Sequence, residues 1–214
     1  MKKYLFSAIS ILVLLSTLSG ATTVAAQNRW YGIGYMTGAF KGAQAIIHWA
    51  NPTVRDSGGF SDETLWVLST SVSRWVEVGW AKEDPPDSRT MGTYLYYGWN
   101  DGTGYREKIL EATSSHNVYK IVYAGANNWY VYINGVLRAT INAGFSTANM
   151  IEVGGEVTSN KSAMGISGTL NLMYKSTGNT WSLWSNTQLV QDAPYRVTRL
   201  NPPQSNLQNS GNNP

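Results

Sequence analysis

The chain has 214 residues, of which 43% are hydrophobic and only 14% are charged, and it contains 9 Trp, 13 Tyr and 21 Gly but no Cys. This composition is typical of a single globular domain rich in aromatic and turn residues, and it excludes an intrinsically disordered protein. The lack of cysteine excludes a thiol enzyme, a disulfide scaffold and a cysteine-based zinc module.

Residues 1–26 have the pattern of a secretory signal peptide. Lys2 and Lys3 precede an apolar run from Leu5 to Leu18, and small residues provide a cleavage site at Ala26-Gln27. The run is shorter than the roughly 20 residues of a membrane-spanning helix. The sequence therefore predicts a protein that is secreted to the extracellular side without a membrane anchor. Without the signal the chain has 14 basic and 13 acidic residues, so the pI near 9.0 does not indicate nucleic-acid binding.

The rest of the chain consists of short β-branched and aromatic runs separated by Gly, Asn, Asp and Ser. No stretch shows sustained helical periodicity, so residues 27–200 are predicted to form one all-β domain, an antiparallel two-sheet β-sandwich. Strands are predicted at Ala43–Trp49, Thr64–Ser69, Arg74–Ala81, Thr93–Trp99, Val118–Ala124, Trp129–Asn134, Val136–Ile141, Met150–Val157, Ile166–Tyr174 and Thr180–Trp184.

Turn-forming and polar sequences mark the ends of these elements. Asn134-Gly135 separates two strand-like runs and predicts a hairpin with a two-residue turn. Residues 201–214 are mostly Asn, Gln, Pro, Ser and Gly, so we predict that they form a disordered tail.

Two strands carry glutamates on the face opposite their aliphatic residues. In Trp75–Trp80, strand alternation places Glu77 and Gly79 on one face and the valines on the other. In Met150–Val157 the same alternation separates Glu152 and Glu156 from the aliphatic residues. A glutamate on the solvent face of a strand is ordinary, but the neighbouring glycines and the many Trp and Tyr residues favour a binding groove.

The spacing restricts which carboxyl groups can work together. Glu152 and Glu156 are about 13 Å apart along an extended strand, too far to share a proton. A carboxyl pair would therefore combine Glu77 with either Glu152 or Glu156 from a neighbouring strand. Such a pair holds one proton between an acid and a base and can activate water against an amide without a metal or a thiol.

Three segments resemble the signatures of glutamic peptidases: Val76–Trp80, Leu95–Gly102 and Val153–Val157. They look like the neprosin type, and their order and spacing are also similar to the eqolisin type. In eqolisins the counterpart of Glu77 is a catalytic Gln before the same x-Gly, and the counterpart of Glu156 is the catalytic Glu. The eqolisin-like pattern extends over nearly the whole chain after the signal, with Trp30, Gly32, Ala45, Asn51-Pro52, Trp66 and Tyr96 as further matching positions.

This resemblance implies a concanavalin-like jelly roll with the site on its concave face. It implies that Glu77 and Glu156 are the catalytic pair, with Glu152 as the second choice for the partner of Glu77. One carboxyl would be the general base, and the other would stabilise the oxyanion or supply a proton. The aromatic residues of the substrate-binding face would be Trp66, Trp75, Tyr96 and Trp99. The implied function is a secreted endopeptidase, active at acid pH on protein or peptide substrates and expected to be a monomer.

Two other functions fit parts of the sequence. Trp129–Gly135 resembles a strand and turn of concanavalin-like lectin and laminin-G domains, so a non-catalytic module that binds carbohydrate or peptide is the main alternative. Glu152 and Glu156 on one strand loosely resemble sandwich glycosidases, which place an Asp between the two glutamates. Because Val153-Gly154-Gly155 stands there instead, a glycoside hydrolase is the less favoured alternative.

No motif predicts a metal or another cofactor. His48 and His116 are the only histidines and do not stand at a metal-ligand spacing, so we expect structural or surface roles for both. Asp56, Asp62 and Glu63 flank a Gly-containing loop, but their spacing matches no calcium loop.

Overall fold

The computed structural model describes residues 29–55, 58–71, 73–84, 92–165, 167–200 and 205–211. The predicted signal peptide lies outside these residues. The described chain is built of fourteen strands, all paired antiparallel. Within it, no helix is long and apolar enough to cross a membrane. The strands are β1 (Trp30–Ile47), β2 (Phe60–Leu68), β3 (Trp75–Glu83), β4 (Tyr94–Asn100), β5 (Tyr105–Ala112), β6 (Asn117–Gly125), β7 (Asn128–Ile133), β8 (Val136–Asn142), β9 (Ala148–Val157), β10 (Ser167–Ser176), β11 (Trp181–Leu183), β12 (Gln188–Gln191), β13 (Arg196–Arg199) and β14 (Leu207–Ser210).

The long strand β1 belongs to two layers. Its first half pairs with β12 on one side and β9 on the other, and β2, β3, β4 and β5 continue this layer, which we call the site sheet. Its second half pairs with β6 and β10, and β7, β8, β11, β14 and β13 complete the back sheet. The predicted antiparallel two-sheet sandwich is therefore confirmed.

The core lies between the two sheets and follows from strand alternation. The aliphatic and aromatic core residues of β2, β3 and β9 stand at alternate positions along each strand and face the back sheet. Trp80 is fully buried, and its indole N–H donates to the backbone oxygen of His48 at 3.0 Å. The core residues of the site sheet include Leu65, Val67, Val76, Val78, Trp80, Ile151 and Val153, and those of the back sheet include Tyr119, Ile121, Val131 and Ile133. The predicted aliphatic faces are thus the core faces.

The hairpin predicted at Asn134-Gly135 is present. Both residues have positive φ, 51° and 79°, and Ile133 pairs directly with Val136 across the turn. This is the backbone of a primed two-residue turn, which Asn and Gly adopt more easily than other residues. The turn fixes the register of β7 and β8.

The predicted disordered tail is wrong for residues 205–211. β14 lies between β10 and β13, with Leu207 fully buried. The side-chain amide of Asn209 donates to the backbone oxygen of Gly32 and to Glu63 Oε1, both at 2.8 Å. Leu207 and the amide of Asn209 anchor this otherwise polar segment in the sheet, beside its backbone pairing with β10 and β13. Residues 201–204 and 212–214 lie outside the described chain.

Candidate active site

The site sheet places all three predicted glutamates on the face that points away from the core. Trp66 of β2 lies opposite Glu77 of β3 on one side and opposite Glu152 of β9 on the other. Four residues further along the strands, Asp62 lies opposite Glu156. Glu77 and Glu156 therefore share one face of one sheet, separated by a strand and by four positions along it. No hydrogen bond joins these two side chains.

These carboxyl groups are buried, although they stand on the outer face of a sheet. Asp62, Glu77, Glu152 and Glu156 are only 5%, 6%, 8% and 7% exposed. Because an ionised carboxylate is costly to bury without a partner, burial is the largest cause of the raised pKa of each group. The solvated-face interpretation of these glutamates does not hold, and the arrangement is one in which carboxyl groups can hold protons near neutral pH.

Glu77 is surrounded by neutral hydrogen-bond donors. The indole N–H groups of Trp66 and Trp75 donate to Oε2 at 2.8 and 2.9 Å, and the hydroxyl of Tyr105 donates to Oε1 at 2.6 Å. Burial raises the pKa of Glu77 to about 7; the field of Glu156 adds to the rise, and the three donors oppose it. These contacts fix both oxygens of Glu77 in place.

Gly98 makes the contact between Glu77 and Tyr105 possible. Gly98 of β4 lies between them, opposite Glu77. A Cβ atom at position 98 would lie 2.6 Å from Glu77 Oε1 and 2.7 Å from the Tyr105 hydroxyl. Only glycine leaves room for the tyrosine to reach across β4 from the edge strand β5.

Glu156 contacts a cation. The guanidinium of Arg29 forms an ion pair with Glu156 Oε1. Burial raises the pKa of Glu156, and Arg29 opposes this rise by its charge and its hydrogen bond. The backbone N–H of Glu156 donates to Asp62 Oδ1 at 3.1 Å, so Asp62 holds the end of β9 in place.

Asp62 and Glu152 complete the group of acids. The hydroxyl of Tyr96 donates to Asp62 Oδ2 at 3.1 Å, and burial together with Glu156 and Glu77 raises the pKa of Asp62 well above its usual range. Burial, with a smaller effect of Glu156, raises the pKa of Glu152 to about 7. Among the described residues, none donates a hydrogen bond to the Glu152 side chain. Glu152 therefore favours the neutral acid below about pH 7.

The structure brings three of the four predicted aromatic residues to this face. Trp66 and Trp75 contact Glu77, and Tyr96 contacts Asp62. The prediction for Trp99 is wrong, because Trp99 lies opposite Val76 and packs against the core. Alternation along β4 puts Tyr96 and Gly98 on the site face, and Tyr97 and Trp99 on the other face.

Sequence reasoning missed Arg29 and Tyr105, and it noticed Asp62 only as a weak calcium candidate. Arg29 and Tyr105 are recognisable only once the strand register is known, because they act on glutamates 127 and 28 positions away. Asp62 and Glu63 point to opposite faces of β2, Asp62 to Tyr96 and Glu63 to Asn209. Asp56 lies outside the described residues.

The described residues contain no cluster of three or more His, Asp or Glu side chains suited to a metal ion. The two histidines stack on each other with ring centroids 4.2 Å apart, and Trp49 N donates to His116 Nδ1 at 3.0 Å. These contacts anchor the segment after β1 to the segment before β6.

No protein-family model matches the chain, and no curated protein matches it in sequence. Solved structures match it in fold. Scytalidoglutamic peptidase bound to a peptide-based transition-state analogue superposes with a TM-score of 0.62 at 10% identity, over 86% of this chain and 98% of that one. SCP-B, a member of the eqolisin family of peptidases in complex with the tripeptide Ala-Ile-His, superposes with a TM-score of 0.60 at 9% identity over the same shares. The chain therefore has the β-sandwich fold of these glutamic peptidases.

Proposed function

We propose that the chain is a secreted, monomeric glutamic endopeptidase that hydrolyses peptide bonds in protein substrates at acid pH. The observation that carries the proposal is the group of buried acids on one face of the site sheet. Within it, Glu77 accepts hydrogen bonds from neutral donors, whereas Glu156 forms an ion pair with a cation. The shared fold with eqolisins supports it, and the motifs around Glu77 and Glu156 favour the neprosin type.

Glu156 is the general base. Its ion pair with Arg29 favours the carboxylate, so it is the acid of this group that is kept ionised and is available to take a proton from water. Glu156 removes a proton from water as the water oxygen attacks the carbonyl carbon of the peptide bond. When the tetrahedral intermediate collapses, protonated Glu156 donates that proton to the leaving nitrogen and returns to the carboxylate.

Glu77 works as a neutral acid that resembles a glutamine side chain. Because Oε2 already accepts two indole N–H groups, the proton resides on Oε1. The carboxylic acid then offers a donor at Oε1, which also accepts from Tyr105, and an accepting oxygen at Oε2. A primary amide offers the same donor and the same accepting oxygen. The Oε1–H of Glu77 donates to the substrate carbonyl oxygen as negative charge develops there.

The two roles define a pH window. Activity requires Glu156 ionised and Glu77 protonated, so it falls at alkaline pH as Glu77 loses its proton, near pH 7. At low pH it falls as Glu156 becomes protonated. The expected profile is a bell on the acid side of neutrality.

Isosteric variants test this assignment with a denatured protein as substrate. Glu156→Gln should lower kcat/KM by roughly 10²–10⁴-fold because it removes the base. Glu77→Gln should stay within about tenfold of the wild type at pH 5 and lose the alkaline fall, whereas Glu77→Leu should lose roughly 10²–10³-fold. Glu111→Gln, which changes the exposed partner of Arg138, is the control and should have no effect.

Full proteolysis by Glu156→Gln would exclude Glu156 as the base. Equal losses in Glu77→Gln and Glu77→Leu would exclude the amide-like role of Glu77. Absence of proteolysis in the wild type, with retention on a polysaccharide column, would favour the binding-module alternative.

A further inference from the structure

Among the residues that the structure describes, cations contact only one of the three glutamates on the site face. Glu77 has neutral donors, Glu152 has none among the described residues, and Glu156 has Arg29. All three are similarly buried. Glu152 and Glu156 stand four residues apart on β9, and the main difference in their surroundings is that Arg29 contacts Glu156.

The strand register explains why Arg29 reaches Glu156 and not Glu152. Tyr31 of β1 lies opposite Glu156, whereas Tyr35 lies opposite Glu152. Residue 29 is two positions before Tyr31 and so points to the same face, diagonally next to Glu156. Glu152 lies four residues further along the extended strand from Arg29 than Glu156 does.

One further contact restricts the guanidinium of Arg29. It lies 5.2 Å from the centroid of the Phe60 ring, a cation–π distance. Its side chain is 33% exposed, so the cation keeps part of its hydration while its partner is buried. Burial disfavours the cation, but the charge and hydrogen bond of Glu156, with contributions from Tyr31 and Asp62, more than offset this, and the pKa of Arg29 is raised. Arg29 is therefore a permanent charge.

We propose that Arg29 is a positioning residue that selects Glu156, and not Glu152, as the ionised base of the site. This inference rests on the proposed function for its catalytic meaning. The other titratable groups that face Glu156 are Tyr31 on β1, Asp62 on β2, Glu77 on β3 and Glu152 on β9, and none of them is a cation. Without Arg29, Glu156 would be in the same electrostatic situation as Glu152, a buried acid next to other acids.

The direct test is a titration of the glutamate side chains. The purified protein, labelled with ¹³C at the glutamate carboxyl carbons, is titrated by NMR, and the Glu156 signal is assigned by its loss in Glu156→Gln. Arg29→Met should raise the titration midpoint of Glu156 by at least about one pH unit, since a close opposite charge shifts a carboxyl by 1–3 units. In Arg29→Lys the titration midpoint of Glu156 should lie close to its wild-type value. Arg106→Met, which breaks the exposed ion pair with Asp101, is the matched control and should leave Glu156 unchanged.

The kinetic test uses the acid side of the pH profile. In Arg29→Met the fall in kcat/KM at low pH should move upward by the same amount as the midpoint, about tenfold less activity per unit at pH 4. The alkaline side, set by Glu77, should stay in place. A variant that is merely misfolded would lose activity equally at all pH values, and Arg29→Lys and Arg29→Gln provide milder changes at the same position.

An unchanged Glu156 midpoint in Arg29→Met and Arg29→Gln would overturn the proposal. Higher activity of Arg29→Met at every pH would also overturn it, because Arg29 would then be blocking the base. If the wild type cleaves no protein at any pH, the proposed function fails, while the titration still decides whether Arg29 sets the charge of Glu156.

Discussion

The two ends of the site each hold a buried glutamate carboxyl group, but they surround it with different partners. At one end, Glu77 is 6% exposed and accepts hydrogen bonds from two indoles and a phenol; at the other, Glu156 is 7% exposed and contacts a guanidinium. Burial is equal, so it does not distinguish the two carboxyls. Neutral donors orient an acid without fixing its charge, whereas a cation favours the ionised form. The partners, and not the depth of burial, divide the two roles.

Among the partners of Glu77, the largest effect is expected from the indoles. Trp66→Phe removes a buried donor to Oε2, and a hydrogen bond between neutral groups is worth about 0.5–1.5 kcal/mol, so kcat/KM should fall roughly 2- to 10-fold. Trp75→Phe should have a smaller effect because Trp75 is only half-buried. Trp99→Phe is the control, since Trp99 lies on the other face of the same sheet. A loss in Trp99→Phe as large as that in Trp66→Phe would show that packing, not the indole donor, is responsible.

A smaller effect is expected on the pH dependence of thermal stability. It comes from Glu152, to which no described residue donates a hydrogen bond. The folded-state pKa values of Glu152 and Glu77 are raised from 4.5 to about 7, so the folded protein binds more protons than the unfolded chain between these pH values. Their stabilisation is therefore fully present below pH 4.5 and is lost as pH rises to about 7. Glu152→Gln should raise Tm at pH 7.5 and reduce its fall between pH 4.5 and 7.5, measured by thermal unfolding.

If Tm falls equally with pH in Glu152→Gln and in the wild type, ionisation of Glu152 does not destabilise the folded protein, and its pKa is not raised. Glu111→Gln, at an exposed position, is the control for this measurement. Protonation of His48, whose pKa is lowered by burial and by His116, acts in the opposite direction and limits the gain at low pH.

The smallest expected effect is a displacement of the alkaline side of the pH profile. The hydrogen bond from Tyr105 lowers the pKa of Glu77, so Tyr105→Phe should raise it and extend activity to higher pH by up to about one unit. The maximum rate should change little. Tyr130→Phe, on the back sheet, is the control for loss of a tyrosine hydroxyl. A displacement toward lower pH would contradict the role of Tyr105 as a donor to Glu77.

Much of this site could be predicted from local pattern. Period-2 alternation was enough to put Glu77 and Glu156 on the faces opposite the valines, and the structure agrees. The same rule, applied to β4, would have excluded Trp99 from the face that carries Tyr96. The resemblance implied Trp99 because it is an aromatic residue of the matching segment Leu95–Gly102, but alternation is the stronger physical constraint.

The partners of the carboxyls could not be predicted in this way. Arg29 and Tyr105 act across strands, so their roles depend on register, which a single sequence does not define. The edge strand β5 was missed because its exposed, charged residues are those that protect a sheet edge and do not form an apolar run. β14 was missed because it is held by Leu207 and by the amide of Asn209 in an otherwise polar segment.

The strand β1, which joins the two sheets, also has a consequence for the order of folding. Its first half pairs Trp30 with Val157 and Gly32 with Gln191, so its partners are synthesised more than a hundred residues later. Closing such long loops costs chain entropy before any of these pairs is gained, and sandwiches dominated by distant pairings fold in milliseconds to seconds or more slowly. Among the described strands, β1 is made first and is among the last to be paired on both sides. Until β12 is complete, the first half of β1 presents an open edge to other chains, which favours aggregation of the incomplete chain.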